Sequence, residues 1–102
     1  MNETSNDLFI GRLGVNPELK YTRNLKPVCH LSVGVSSQGE ERANWRKVLV
    51  WGEQAELCSI YLKKGSQIFV QGRIEKKNYT NKSGESKTYD EVNAQLIGFS
   101  NL

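Results

Sequence analysis

Between residues 28 and 35 the odd positions Cys29, Leu31, Val33 and Val35 are apolar, while His30, Ser32 and Gly34 between them are polar or small. Successive side chains of an extended strand point to opposite faces, so this period of two belongs to a half-buried strand and not to a helix. Such a strand needs partners, and a chain of 102 residues has room for one domain and one core to supply them. Hydrophobic residues at 37%, charged residues at 25% and only two prolines are the composition of a folded chain.

The rest of the chain is also richer in strands than in helices. Leu8, Phe9 and Ile10 form a short first strand, followed by a turn-rich stretch over residues 14–17. Residues 36–44, with Gly39, Glu40, Glu41 and Arg42, have the composition of a loop. A third strand runs from Trp45 to Trp51, with Val48 and Val50 on one face and Trp45, Lys47, Leu49 and Trp51 on the other. Residues 53–64 instead suit a short helix. Ala55, Cys58 and Leu62 are spaced i, i+3, i+7, Glu56, Ser59 and Lys63 repeat that spacing as a polar stripe, and Gly65 is a natural stop. Residues 66–79 read as a long strand with Ile68 and Val70 buried and Gly72 marking a bend or bulge. Residues 81–84 supply a hairpin turn, and in the returning strand Val92, Ala94 and Leu96 alternate with Glu91, Asn93 and Gln95. Phe9, Phe69 and Phe99 are expected in the core.

The expected fold is therefore all-β, a five-stranded Greek-key OB (oligonucleotide/oligosaccharide-binding) barrel. One short helix lies between strands 3 and 4, and a long basic hairpin joins strands 4 and 5. A single domain occupies residues 1–102, its core spanning about 6–98. An SH3-like barrel explains the helix poorly.

Catalysis has no visible home. Cys29 and Cys58 lie 29 positions apart and belong to no C-x-x-C pair, so they read as buried free thiols. His30, the sole histidine, adjoins Cys29 on a strand, which places the two on opposite faces and excludes a dyad. No phosphate loop, H-E-x-x-H or G-x-S-x-G motif occurs. No enzyme activity, metal or cofactor is expected. No apolar run approaches the roughly 20 residues of a membrane helix, and residues 1–7 are polar and precede no signal-type apolar core.

The net charge of +3 is too modest to diagnose nucleic-acid binding, but its location is informative. Residues 73–87 hold Arg73, Lys76, Lys77, Lys82 and Lys87 against Glu75 and Glu85, so that window carries the whole excess. Trp45 and Trp51 flank Lys47 on one strand, and Tyr79 stands near the tip of the basic arm. Aromatics beside cations suit single-stranded nucleic acid. Every base offers a π-face for sequence-tolerant stacking, lysines and arginines follow the phosphates, and duplex DNA hides those faces. These residue types do not separate DNA from RNA.

The stretches GRLGVNPELKYT at 11–22, WRKV at 45–48, YLKKGSQ at 61–67 and QGR at 71–73 resemble the bacterial-type single-stranded DNA-binding proteins (SSB) over roughly residues 6–98. The resemblance implies an OB domain that binds and protects single-stranded DNA in replication, repair or recombination. It also implies a homotetramer, with a dimer as the alternative. Trp45 and Trp51 then match the family's stacking aromatics on the third strand, and Tyr79 replaces a stacking tryptophan on the hairpin. Lys47, Lys64, Lys77 and Lys87 match backbone-contacting basic positions, with Lys20 and Arg73 as weaker matches. Lys76 and Lys82 rest on charge alone.

Glu53 and Glu75 stand where the family often has basic residues, Arg46 stands where many relatives have histidine, and a loop tryptophan before Trp45 is missing. The family's acidic tail, which recruits other proteins, has no counterpart in this sequence, so no tail-mediated partner recruitment is visible in it; either that role is lacking or the sequence is truncated before the tail. The expected location is cytoplasmic and nucleoid-associated, with an organellar or viral source left open. The alternative is an SSB-derived protein-interaction module, such as a primosome-assembly protein, with its aromatic face buried against a partner.

Overall fold

The computed structural model describes residues 5–35 and 44–99. Among them the order of elements is β1 (Ser5–Leu13), β2 (Glu18–Tyr21), β3 (Pro27–Val35), β4 (Asn44–Trp51), α1 (Glu53–Tyr61), β5 (Gln67–Thr80) and β6 (Ser86–Phe99). The loop expected before Trp45 lies, over residues 36–43, outside the described residues; Asn44 already opens β4.

Strand pairing runs in a ring. β1 pairs with β5, β5 with β6, β6 with β4 and β4 with β3, and β3 returns to β1 through Arg12↔Gly34 and Leu13↔Val33. These are the five strands of the expected OB barrel, with the helix in its expected place between β4 and β5. The short β2 is an addition, laid antiparallel on β3 from Glu18↔His30 to Tyr21↔Pro27. Only Leu19 of its residues is drawn toward the core, so no alternating pattern announces it.

The barrel interior follows the period-two pattern. Cys29, Leu31 and Val33 of β3, Val48 and Val50 of β4, Ile68 and Val70 of β5 and Val92 of β6 are each no more than 2% exposed. Removing this apolar surface from water is the main favourable contribution to folding. Ala55 and Cys58 of α1 join the same cluster. The helix ends at Tyr61 rather than at Lys64. Leu62 follows in extended backbone, donates its N–H to the Cys58 carbonyl and remains buried. Burial also pushes the Cys58 thiol up to about 12 and raises that of Cys29, which leaves both unreactive at neutral pH.

Two expectations about faces are corrected. The register of β5 against β6 shifts between Gln71 and Gly72, so the glycine does mark a bulge. Past that point β6 is out of phase with a simple alternation: Leu96 is 48% exposed, while Ile97 packs against the core. A bulge inserts one residue and so exchanges the faces of everything beyond it. Phe69 is 40% exposed and not a core residue, because its neighbours Ile68 and Val70 take the inward positions. Phe9 is buried and Phe99 packs on the core from its edge.

Two contacts hold the ring shut. A Cβ on Gly11 would fall 2.6 Å from the Gly34 carbonyl oxygen, so only glycine lets β1 approach β3 this closely. Across the barrel, the Arg46 guanidinium of β4 donates to the Asp7 carboxylate of β1 at 2.6 Å and lies 4.5 Å from the centroid of the Phe9 ring. This charge-assisted bond joins two strands that are not neighbours in the sheet. Leu31→Ala, at the centre of the core, is expected to lower unfolding free energy by about 2–5 kcal/mol; urea denaturation measures it, and a loss under about 1 kcal/mol would contradict the packing described.

Candidate nucleic-acid interface

Alternation puts Trp45, Lys47, Leu49 and Trp51 on one face of β4, where Trp45, Lys47 and Trp51 are exposed and Leu49 is buried. Residues paired across strands share a face, so the registers extend this surface in both directions. On β3 the partners of Trp45, Lys47, Leu49 and Trp51 are Gly34, Ser32, His30 and Val28. On β6, Lys47 faces Glu91 and Leu49 faces Asn93. From there Arg73↔Asn93, Glu75↔Glu91, Lys77↔Tyr89 and Tyr79↔Lys87 carry the same face onto β5. Trp45, Lys47, Trp51, Arg73, Lys77, Tyr79 and Lys87, from three different strands, therefore share one outer surface.

Each aromatic has its own setting. Trp45 is 59% exposed, and a Cβ on Gly14 would fall 2.5 Å from its six-membered ring, so the indole lies against the bare backbone of the β1–β2 turn. Trp51 is 38% exposed; its indole Nε1 donates to the Asn93 Oδ1 at 3.1 Å, and the Lys26 ammonium sits 5.2 Å from the ring centroid. Tyr79 packs edge-on against Tyr89, centroids 5.8 Å apart. Lys47 in turn lies 5.6 Å from the centre of the Tyr89 ring. A groove of about 510 Å³ opens between β2 and β4, lined by Lys20, His30, Trp45, Lys47 and Tyr89 among others.

Tyr89, Lys26 and Asn93 are functional candidates that residue type alone does not single out. Counting the hairpin register back from the 81–84 turn would have found Tyr89 opposite Lys77. Nothing in the sequence places Lys26 over Trp51, because the tight turn that brings it there depends on Leu25 at φ 63° and on the Lys26 N–H bond to the Thr22 hydroxyl.

The remaining cations are dispersed. Lys76 alternates onto the opposite face of the hairpin, paired with Asp90 at 3.7 Å. Lys82 lies at the tip, in a turn where the Asn81 side chain accepts the N–H groups of Ser83 and Glu85. Lys64 borders the β1–β2 turn, its N–H donating to the Asn16 Oδ1 at 2.8 Å. Ion pairs join Lys20 to Glu18 at 2.9 Å, Lys77 to Glu75 at 3.0 Å and Lys87 to Glu85 at 3.9 Å. The Glu75 carboxylate holds the Lys77 ammonium above the ordinary lysine range.

The arm is also less basic than the 73–87 window suggests. β6 brings Asp90 and Glu91 back opposite Lys76 and Glu75, so residues 73–91 hold five cations against four carboxylates, a net of +1. What distinguishes this surface is the interleaving of exposed rings with lysines more than its total charge.

Comparison with known proteins agrees with the geometry. The model of the single-strand binding protein family matches residues 5–100. A single-stranded DNA-binding protein of Neisseria meningitidis is 38% identical over 93 residues, covering 83% of this chain and 53% of that protein. Single-stranded DNA-binding protein 1 of Chlorobaculum tepidum is 33% identical over 102 residues, covering 89% of this chain and 63% of its own length. The Xylella fastidiosa protein of the same name is 33% identical over 101 residues, covering 88% and 74% respectively. The chain thus spans roughly half to three quarters of these relatives' lengths. With a matching family model over nearly all its residues and a closed OB ring carrying aromatic and basic side chains on one face, the chain belongs to the single-strand binding protein family.

Proposed function

We propose that the protein binds single-stranded DNA with little sequence preference and protects it during replication, repair or recombination. The observation that carries this reading is the shared outer surface on which Trp45, Trp51, Tyr79 and Tyr89 alternate with Lys47, Lys77, Arg73 and Lys87. Exposed rings accept any base by stacking, and the interspersed cations neutralise the phosphates between them. Lys20 and Lys64 extend the path along the groove and the β1–β2 turn, and Lys82 extends it to the hairpin tip. Lys76 contributes only to strands that wrap behind the arm. The names of the relatives support the same reading.

We further propose that the protein self-associates as a homotetramer. Leu8, Ile10, Phe69 and Leu96 are 64%, 61%, 40% and 48% exposed, with Ile10 directly opposite Phe69 and with Leu8 and Leu96 on either side of Gln71. A contiguous apolar strip of this kind favours burial against a second copy. Light scattering is expected to give four times the 11.6 kDa chain mass; a particle of single-chain mass at micromolar concentration would contradict the proposal.

Titration with poly-dT and with a duplex of equal length tests the binding reading. Poly-dT is expected to quench tryptophan emission and to bind less tightly as salt rises, because phosphate contacts release counterions; the duplex is expected to do neither at the same concentration. In the same assay Tyr79→Ala is expected to cost about 1–3 kcal/mol per stacked base with little change in salt slope. Glu75→Lys, which removes the partner of Lys77, is expected to tighten binding and steepen that slope. Unquenched emission at saturation, or variants with unaltered affinity and slope, would remove these side chains from the DNA path.

A further inference from the structure

His30 is half-buried on the outer face of β3, with its neighbour Cys29 fully buried on the inner face. It lines the groove together with Trp45, Lys47, Lys20 and Tyr89. The imidazole therefore lies where a strand stacked on Trp45 would pass. It is also the only group of its type in the chain, and the only side-chain type whose charge ordinarily changes between about pH 5 and 8.

We propose that His30 is a proton-linked contact for the phosphate backbone, taking up a proton when a strand occupies the groove. The proposal rests on the single-stranded DNA reading and adds to it a coupling between binding and pH.

The groups around His30 decide the sign. From β2, Glu18 is its direct cross-strand partner and Lys20 is two residues further along. From β4 come Leu49, directly opposite, and Lys47 beside it. From β6, Glu91 faces Lys47, and Tyr89 and Asp90 line the far side of the groove. Burial, then Lys47 and Lys20, hold the imidazole below its ordinary range, and Glu18 and Glu91 oppose them with smaller effect. Lys20 is already engaged by Glu18 at 2.9 Å, and that pairing holds the Glu18 carboxyl below its ordinary range.

The free groove is thus poised against a further positive charge. A phosphate entering between Lys47 and His30 offsets the repulsion among the cations and makes protonation favourable. Any group whose pKa rises on binding takes up protons with the ligand, so affinity increases as pH falls. Ordinary carboxylates titrate near 4 and stay charged over the window in which His30 responds.

The single histidine makes the test direct. Its imidazole C–H resonance is followed by NMR from pH 5 to 8, in the free wild-type protein and in the protein saturated with oligo-dT. The midpoint is expected below 6.5 when free and higher when bound, and each unit of rise corresponds to about ten-fold in affinity. Poly-dT affinity is expected to be about three- to ten-fold tighter at pH 5.5 than at pH 7.5. His30→Gln, neutral throughout, and His30→Lys, charged throughout, should both lose that difference, with the steeper salt slope in the lysine variant.

An imidazole midpoint that does not move on binding, or the same pH difference persisting in both variants, would overturn the proposal while leaving single-strand binding intact. Failure of the wild type to bind poly-dT at either pH would instead overturn the function on which the proposal rests.

Discussion

The surface described above depends on a short parallel ladder between β4 and β6, Lys47↔Glu91, Val48↔Val92 and Leu49↔Asn93. These residues lie more than forty positions apart in the chain, so the loop entropy of bringing them together must be offset by what they bury. Val48 and Val92, both fully buried, meet at the centre of that ladder. On the outward side the same pairing puts Lys47 beside Glu91 and Leu49 beside Asn93. Trp51 then reaches the Asn93 side chain, and Lys47 reaches the ring of Tyr89. Without it β4 would carry two tryptophans and the hairpin would carry lysines and tyrosines, on surfaces with no fixed relation.

Stacking and charge are divided unevenly over that surface. The rings are held by local devices: the Gly14 backbone under Trp45, the Asn93 amide and Lys26 at Trp51, and Tyr89 beside Tyr79. Pre-positioned rings lose little freedom when a base arrives, which favours affinity without sequence discrimination. Several lysines are instead paired with carboxylates in the free protein. Such exposed pairs are worth little in themselves, so each carboxylate is readily exchanged for another anion. Glu75 and Glu91, opposite one another on the hairpin, offset part of its positive charge.

Much of the fold is legible in the sequence wherever one face of an element is buried and the other wet. The alternation in β3, the inward valines of β4, the apolar positions of α1 and the glycine at the bulge all report burial directly. The missed features are those in which position depends on pairing rather than residue type. β2 has no apolar stripe because it lies against β3 at the barrel's flank. Leu96 and Ile97 exchange faces because the bulge inserts one residue between them and Val92. Phe69 is outward because its flanking residues already fill the interior. In the candidate site, Trp45, Lys47, Trp51 and Tyr79 are legible as a stacking pattern on one strand and one arm. Tyr89 becomes visible only once the hairpin register is known, and Lys76 differs from Lys77 only in the face to which it points.

The central claim is that one outer face of the barrel, across β4, β6 and β5, receives the bases. Photo-crosslinking to an oligo-dT substituted with bromodeoxyuridine, with the adducts located by mass spectrometry, reads this at single-residue level. Adducts are expected at Trp45, Trp51, Tyr79 and Tyr89. Adducts confined to Tyr61 of the helix or Phe69 of the apolar strip would contradict it.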